Sequence, residues 1–232
     1  MTGRIGILRS LAAALVAVAG LLYPALLFAE SDRLLGAPRF DTYSEATYKQ
    51  VTWDDFKGGG QTPPGWNRWT GGSFAHIASA VRLGAFEVAD REEDGRWVAV
   101  AVGLRPYAVM DKFHSAVRTG SRNDDVLAHE QLHFDITEAA ARRLAVEMAA
   151  IEGRGDTAQE ARVDLDRQIR ERLEQAAAEL EELQNRYDEE THGKKGRKRQ
   201  EQWAVKVEAM LEEATDALTD LLERGGASDR TP

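Results

Sequence analysis

The sequence predicts an α+β fold, a small antiparallel sheet followed by three helices, with the pattern HExxH on the first long helix. Three observations lead there. Two runs rich in β-branched and aromatic residues, "AFEVA" and "RWVAVAV", flank the turn former "REEDG". From Asn123 onward, apolar residues recur every three or four positions. Two breakers, "EGRGD" and "THGKKGRKR", cut that pattern into three stretches.

In chain order, "MTGRIGILRS" carries Arg4 and Arg9 with no acidic residue, and an apolar run follows from Leu11 to Ala29. A basic start before an apolar stretch predicts a secretory signal over 1–29, or an uncleaved anchor that would hold the chain to a membrane. Both place the rest of the chain in the periplasm or outside the cell. Residues 30–50 read as a linker, 51–224 as the folded domain and 225–232 as a disordered tail. The stretch after Val51 is rich in turn formers and holds Trp53, Trp66 and Trp69, which suit a core or a substrate groove. "KFHSAVRTG" reads as an edge strand onto which an extended peptide could add.

Asn123 and Asp124 are N-cap candidates for a helix beginning near Asp125. Its stripe is Val126, His129, His133, Ile136, Ala140, Leu144, Met148 and Ile151. A second helix is expected from Thr157 to Tyr187, with Leu165, Ile169, Leu173, Ala176, Leu180, Leu183 and Tyr187 on one face. The third carries Trp203, Val207, Met210, Ala214, Leu218 and Leu221.

Composition narrows the chemistry. The 232 residues carry a formal net charge of −9, which argues against nucleic acid as a partner. There is no cysteine, so a metal would have to be held by His, Asp or Glu. His129-Glu130-Gln131-Leu132-His133 offers such ligands. Residues i and i+4 stack on one side of a helix, so both imidazoles can face one zinc ion. Glu130, one residue on, is turned about 100° round the helix and can act as a general base without being a ligand. That arrangement is the one a zinc metallopeptidase needs to hydrolyse a peptide or protein substrate.

A third ligand is needed. Ile136 and Ala139 occupy the positions where one zincin subclass would place Gly and His. Glu160, Glu171 and Glu174 on the second helix remain open, as does His192 in the loop expected beyond it. His76 and His114 show no ligand-like spacing and receive no role. The basic run Lys194–Arg199 reads as a solvated loop.

"VTWDDFKG" at 51–58, "LAHEQLHFDITE" at 127–138, and "YDEETHG" with "QEQW" at 187–203 together resemble the DUF922 family of bacterial secreted proteins, predicted zinc-dependent proteases. The resemblance implies a zincin-like hydrolase with His129 and His133 as ligands and Glu130 as base. It makes His192 the first choice for the third ligand. Tyr187 is then placed to hydrogen-bond the oxyanion of a tetrahedral intermediate, and Asp188 or Asp135 to hold a ligand imidazole by its second nitrogen. Two other functions fit the same sequence: a non-catalytic helical interaction module of the envelope, and a zinc amidase acting on cell-wall peptides.

Overall fold

The computed structural model describes residues 45–58, 75–118, 120–192 and 196–228. The fold is α+β. Its strands are β1 (Glu45–Thr47), β2 (Ala75–Leu83), β3 (Glu87–Glu93), β4 (Arg96–Val102), β5 (Pro106–Val117) and β6 (Glu152–Gly155). Its helices are α1 (Asp124–Met148), α2 (Ala158–Thr191) and α3 (Gly196–Ser228). The strands form two antiparallel sheets rather than the single one expected, in the orders β1-β5-β2 and β3-β4-β6. The segment 1–29, most of the linker, Trp66, Trp69 and Lys194 lie outside the described residues, as does the tail beyond Ser228. No helix among the described residues is long and apolar enough to cross a membrane.

The chain divides into two compact units. One holds Gly84–Arg105 and Ala149–Glu174. Its β3–β4 hairpin closes through Asp94 and Gly95, both at positive φ (51° and 78°), the two-residue turn whose twist matches that of paired strands. "EGRGD" is more than a breaker: Glu152–Gly155 forms β6 and pairs with β4. Its glycines are required by proximity. A Cβ on Gly153 would stand 2.0 Å from the Ala161 carbonyl oxygen, and one on Gly155 2.5 Å from the Glu160 Cβ. Helix α2 starts against this strand with a capping box, in which the Glu160 amide donates to the Thr157 hydroxyl and the Thr157 amide to the Glu160 carboxylate.

The other unit contains β1, β2, β5, α1, the second half of α2, and α3. Asn123 caps α1 through a bond from the Val126 amide to its side-chain oxygen (3.0 Å). Leu132 and Ile136 of α1, Tyr187 of α2, and Trp203 and Val207 of α3 form one buried cluster. Helix α2 passes the expected end at Tyr187 by one turn, to Thr191, and α3 begins at Gly196, so the predicted loop between them is short.

Strand β5 is the central strand of its sheet, between β1 and β2, and not the free edge expected of "KFHSAVRTG". Its pairing with β2 jumps from His76–Ala116 to Ala78–Asp111, so β5 bulges and Ile77 has no partner across the ladder. Asp111 holds the bulge: its buried carboxylate accepts the Phe113 and His114 amides and the His114 ring nitrogen. "WDDFKG" braces it from outside, through bonds from the Lys57 amide to the Lys112 carbonyl and from the Gly58 amide to that of Ser115. Upstream, Gln131 and Asp135 of α1 tie down 48–51: the Val51 amide donates to Gln131, and the Tyr48 hydroxyl and the Gln131 amide donate to Asp135.

Candidate metal centre

The geometry begins with α1. His129 and His133 stand one turn apart, rings edge to face with centroids 4.8 Å apart. Their Nε2 atoms are 3.2 Å from each other. Helix α2 brings Asp188 to both: its Oδ1 is 3.1 Å from the His129 Nε2 and 3.0 Å from that of His133. Three donor atoms thus form a nearly equilateral triangle. Among the described residues this is the group of three whose ligand atoms all lie within 4.8 Å of one another.

Two facing imidazole nitrogens and a carboxylate oxygen need positive charge among them, either protons or a cation. Donors about 2.0–2.2 Å from one divalent ion stand about 3.0–3.4 Å apart, the lower value on an octahedral face and the upper in a tetrahedron. Edges of 3.0–3.2 Å fit that range. The donor set, two imidazoles and one carboxylate, suits zinc and other first-row metals. The three side chains run from 12% exposed at His133 to 45% at Asp188, which leaves the triangle open on its Asp188 side.

Gln184, one turn before Asp188 on α2, determines which nitrogen His133 presents. Its amide nitrogen donates to the His133 carbonyl (2.9 Å) and the Thr137 hydroxyl (3.1 Å). Its oxygen must therefore face the His133 Nδ1, with which it pairs. An oxygen there requires a proton on Nδ1, which leaves the lone pair of the neutral ring on Nε2, toward the triangle. The role proposed from sequence for Asp188 or Asp135, holding a ligand ring by its second nitrogen, belongs to Gln184 instead. Asp135 is taken up by Tyr48 and Gln131, and Asp188 is part of the triangle itself.

The charges follow from the same contacts, with protons on the Nε2 atoms standing where a cation would supply the positive charge. Burial works against the Asp188 carboxylate, but hydrogen bonds from His129 and His133 outweigh it and hold its pKa well below the ordinary range. Burial likewise opposes charge on His133, and the Asp188 bond and charge override it and raise its pKa. Glu130 is 3% exposed, and burial pushes its carboxyl upward against the pull of His133 and His129. The unpaired Ile77 amide on β2 donates to that carboxylate. The β5 bulge thus leaves this Ile77 amide to Glu130.

Two sequence-predicted residues take other places. His192 follows the last turn of α2. Its ring Nδ1 and its amide both face the Asp188 carbonyl (3.0 and 3.1 Å), so it caps the helix end and stands outside the triangle. The extra turn of α2 is the reason: it carries Asp188 to the two imidazoles and leaves His192 beyond it. Tyr187 is fully buried, stacked on His129 at 4.7 Å and edge-on to His133 and Trp203. Its hydroxyl donates to the His129 backbone carbonyl (3.3 Å), and burial raises its pKa, so it supports the ligand rings from behind. Sequence reasoning missed Gln184 and the place of Asp188. The signal was present in their i,i+4 spacing, which puts both on one face of α2.

Residues 110–196 match a family model, DUF922, described as a bacterial protein of unknown function. The matched stretch runs from β5 through α1 and α2 to the first residue of α3 and contains Glu130, the three donors and Gln184. No curated protein and no solved structure matches the chain.

Proposed function

We propose that this chain is an exported, zinc-dependent hydrolase of peptide bonds. The observation that carries the reading is the triangle of His129 Nε2, His133 Nε2 and Asp188 Oδ1 with a buried carboxylate, Glu130, on the same helix turn. Zinc, when bound, supplies Lewis acidity that polarises a carbonyl and brings the pKa of water to about 7. Glu130 accepts a proton from the attacking water as its oxygen bonds to the peptide carbon, then delivers that proton to the amine as the C–N bond breaks. Its raised affinity for a proton suits both halves of that transfer. Gln184 keeps the His133 Nδ1 protonated, and Tyr187 holds both rings in place. Iron also accepts two imidazoles and a carboxylate, but a hydrolytic base one residue from a ligand favours zinc.

The test is metal content by mass spectrometry with hydrolysis of labelled casein and of cell-wall peptides, in wild type, Glu130→Gln and His133→Ala. One zinc per chain is expected in wild type. Glu130→Gln keeps zinc and loses turnover by about 10²–10⁴-fold, whereas His133→Ala loses both. Iron in place of zinc, or full turnover in Glu130→Gln, would overturn the reading. Hydrolysis of cell-wall peptides alone would make the enzyme an amidase of the same metal chemistry.

A further inference from the structure

Helix α1 turns one side to α2, where the triangle forms, and another to α3. Between α1 and α3 lies a groove of about 770 Å³. Its apolar lining is Leu132 of α1 with Ala204 and Leu211 of α3. Along the α3 wall stand Glu208, Glu212 and Asp216, one per turn and all exposed. Acids on the other two helices have an arginine one turn away: Glu138 and Glu147 on α1, and Asp166, Glu171 and Glu182 on α2, are each in an i,i+4 ion pair. Glu208, Glu212 and Asp216 have no such partner among the described residues; α3 makes its ion pairs through Arg197 and Arg224 instead. Like charges at i,i+4 destabilise the helix that carries them, so this wall has a cost that no contact within the described chain offsets. Asp135, on the α1 side, already accepts from Tyr48 and Gln131 and is not counted with them.

We infer that this groove docks a basic amphipathic helix of a partner protein, with its lysines or arginines on Glu208, Glu212 and Asp216 and its apolar stripe on Leu132, Ala204 and Leu211. The inference does not depend on the zinc reading. Charge and apolar surface lie side by side, which suits a ligand that carries both. The three carboxylates rise by about 6 Å per step along α3, the step at which a second helix repeats its own i,i+4 side chains. An extended peptide would need backbone partners, and the walls are helices whose backbone groups are spent on their own turns. A docked helix brings its hydrogen bonds with it. The stretch from Ala204 to Asp216 runs about 18 Å, room for about three turns.

The test uses the full chain and a fluorescein-labelled synthetic helix with lysines at i, i+4 and i+8 beside a leucine stripe, followed by anisotropy at physiological salt. A scrambled peptide of equal charge and one with glutamate for each lysine serve as controls. Binding is expected for the first peptide alone, with shifts in the methyl resonances of Leu132 and Leu211. The triple variant Glu208→Gln, Glu212→Gln, Asp216→Asn should weaken it about tenfold, and so should Ala204→Trp, which fills the apolar lining. All four positions are exposed, so the fold should survive both changes. Equal binding of the scrambled peptide overturns the inference, as does a triple variant that binds within about twofold of wild type, or no saturable binding below about 1 mM. Two other occupants would overturn it as well. Displacement of the helix by equimolar spermine gives the groove to a polyamine, and self-association that Ala204→Trp abolishes gives it to a second copy of the chain.

Discussion

Replacing Gln184 by alanine removes the group that selects the His133 tautomer, and the cost can be worked bond by bond. Three hydrogen bonds disappear: to the His133 Nδ1, the His133 carbonyl and the Thr137 hydroxyl. The carbonyl keeps a second donor in the Thr137 hydroxyl (3.0 Å), so its loss is small. The Nδ1–H, on a side chain 12% exposed, is left without its partner, at about 1–3 kcal/mol. Alanine is the better helix former and offsets a few tenths of that on α2. The second consequence is chemical. Once Nδ1 lacks an acceptor, the ring can carry its proton on Nε2 and present no lone pair to the triangle. Removing a partner of this kind lowers metal affinity about 10–100-fold, or about 1.4–2.7 kcal/mol. The assay is zinc titration against a competing chelator, with thermal unfolding of the metal-free protein in parallel. Gln184→Glu supplies the control: a carboxylate still accepts from Nδ1, so zinc affinity should hold or rise. If Gln184→Ala loses stability but binds zinc within twofold of wild type, Gln184 is only a packing residue and the tautomer argument is wrong.

Three further outcomes are expected. Asp188→Ala should abolish tight zinc binding whereas His192→Ala leaves it unchanged; the reverse pattern in a chelator titration would reinstate His192 as the third ligand. Tyr187→Phe, which gives up one long hydrogen bond, should cost less than about 1 kcal/mol and keep turnover. Tyr187→Ala should cost about 3–5 kcal/mol in chemical unfolding, because the ring is fully buried against both histidines and Trp203. A large loss of kcat in a stable Tyr187→Phe would instead give the hydroxyl a direct catalytic part. Asp55 is buried, and bonds from Lys49, Thr52 and Lys112 pull its pKa far below normal although burial pushes it up. A depressed folded pKa gives stability that is present above the unfolded value near ~4 and lost as pH falls through the folded one. Asp55→Asn should therefore cost about 1–2 kcal/mol at pH 7, the solvent-facing Lys49 keeping it low, and progressively less below about pH 4. An equal cost at pH 7 and pH 2 would refute the assignment.

The pattern of local order was legible before any coordinates. The start of α1 at its Asn123 cap follows from residues within a turn of one another, and so does the β3–β4 hairpin around Asp94 and Gly95. Position i and i+4 on a helix are neighbours whatever the rest of the chain does, so His129 and His133 had to share a face. The two-sheet arrangement was less accessible. "EGRGD" carries the composition of a turn, and its glycines make sense only once α2 lies 2.0 Å from where a Cβ would be. The extra turn of α2 past Tyr187 was hidden for a similar reason, since its apolar stripe ends there and the last residues are polar.

By itself, then, the sequence determined what short-range geometry can determine: the helices, the hairpin, and a pair of imidazoles with a carboxylate beside them. Tertiary structure alone decided which acid completes the triangle, because Asp188 lies 55 residues from His133 in the chain and only the packing of Tyr187 against α1 brings it within 3.0 Å. It also decided the tautomer, through Gln184, and the access of the Ile77 amide to Glu130, beside a bulge in β5. Those contacts join residues far apart in sequence, and no local period encodes them. They are fixed by how buried faces fit together and by the need of each buried polar group for a partner.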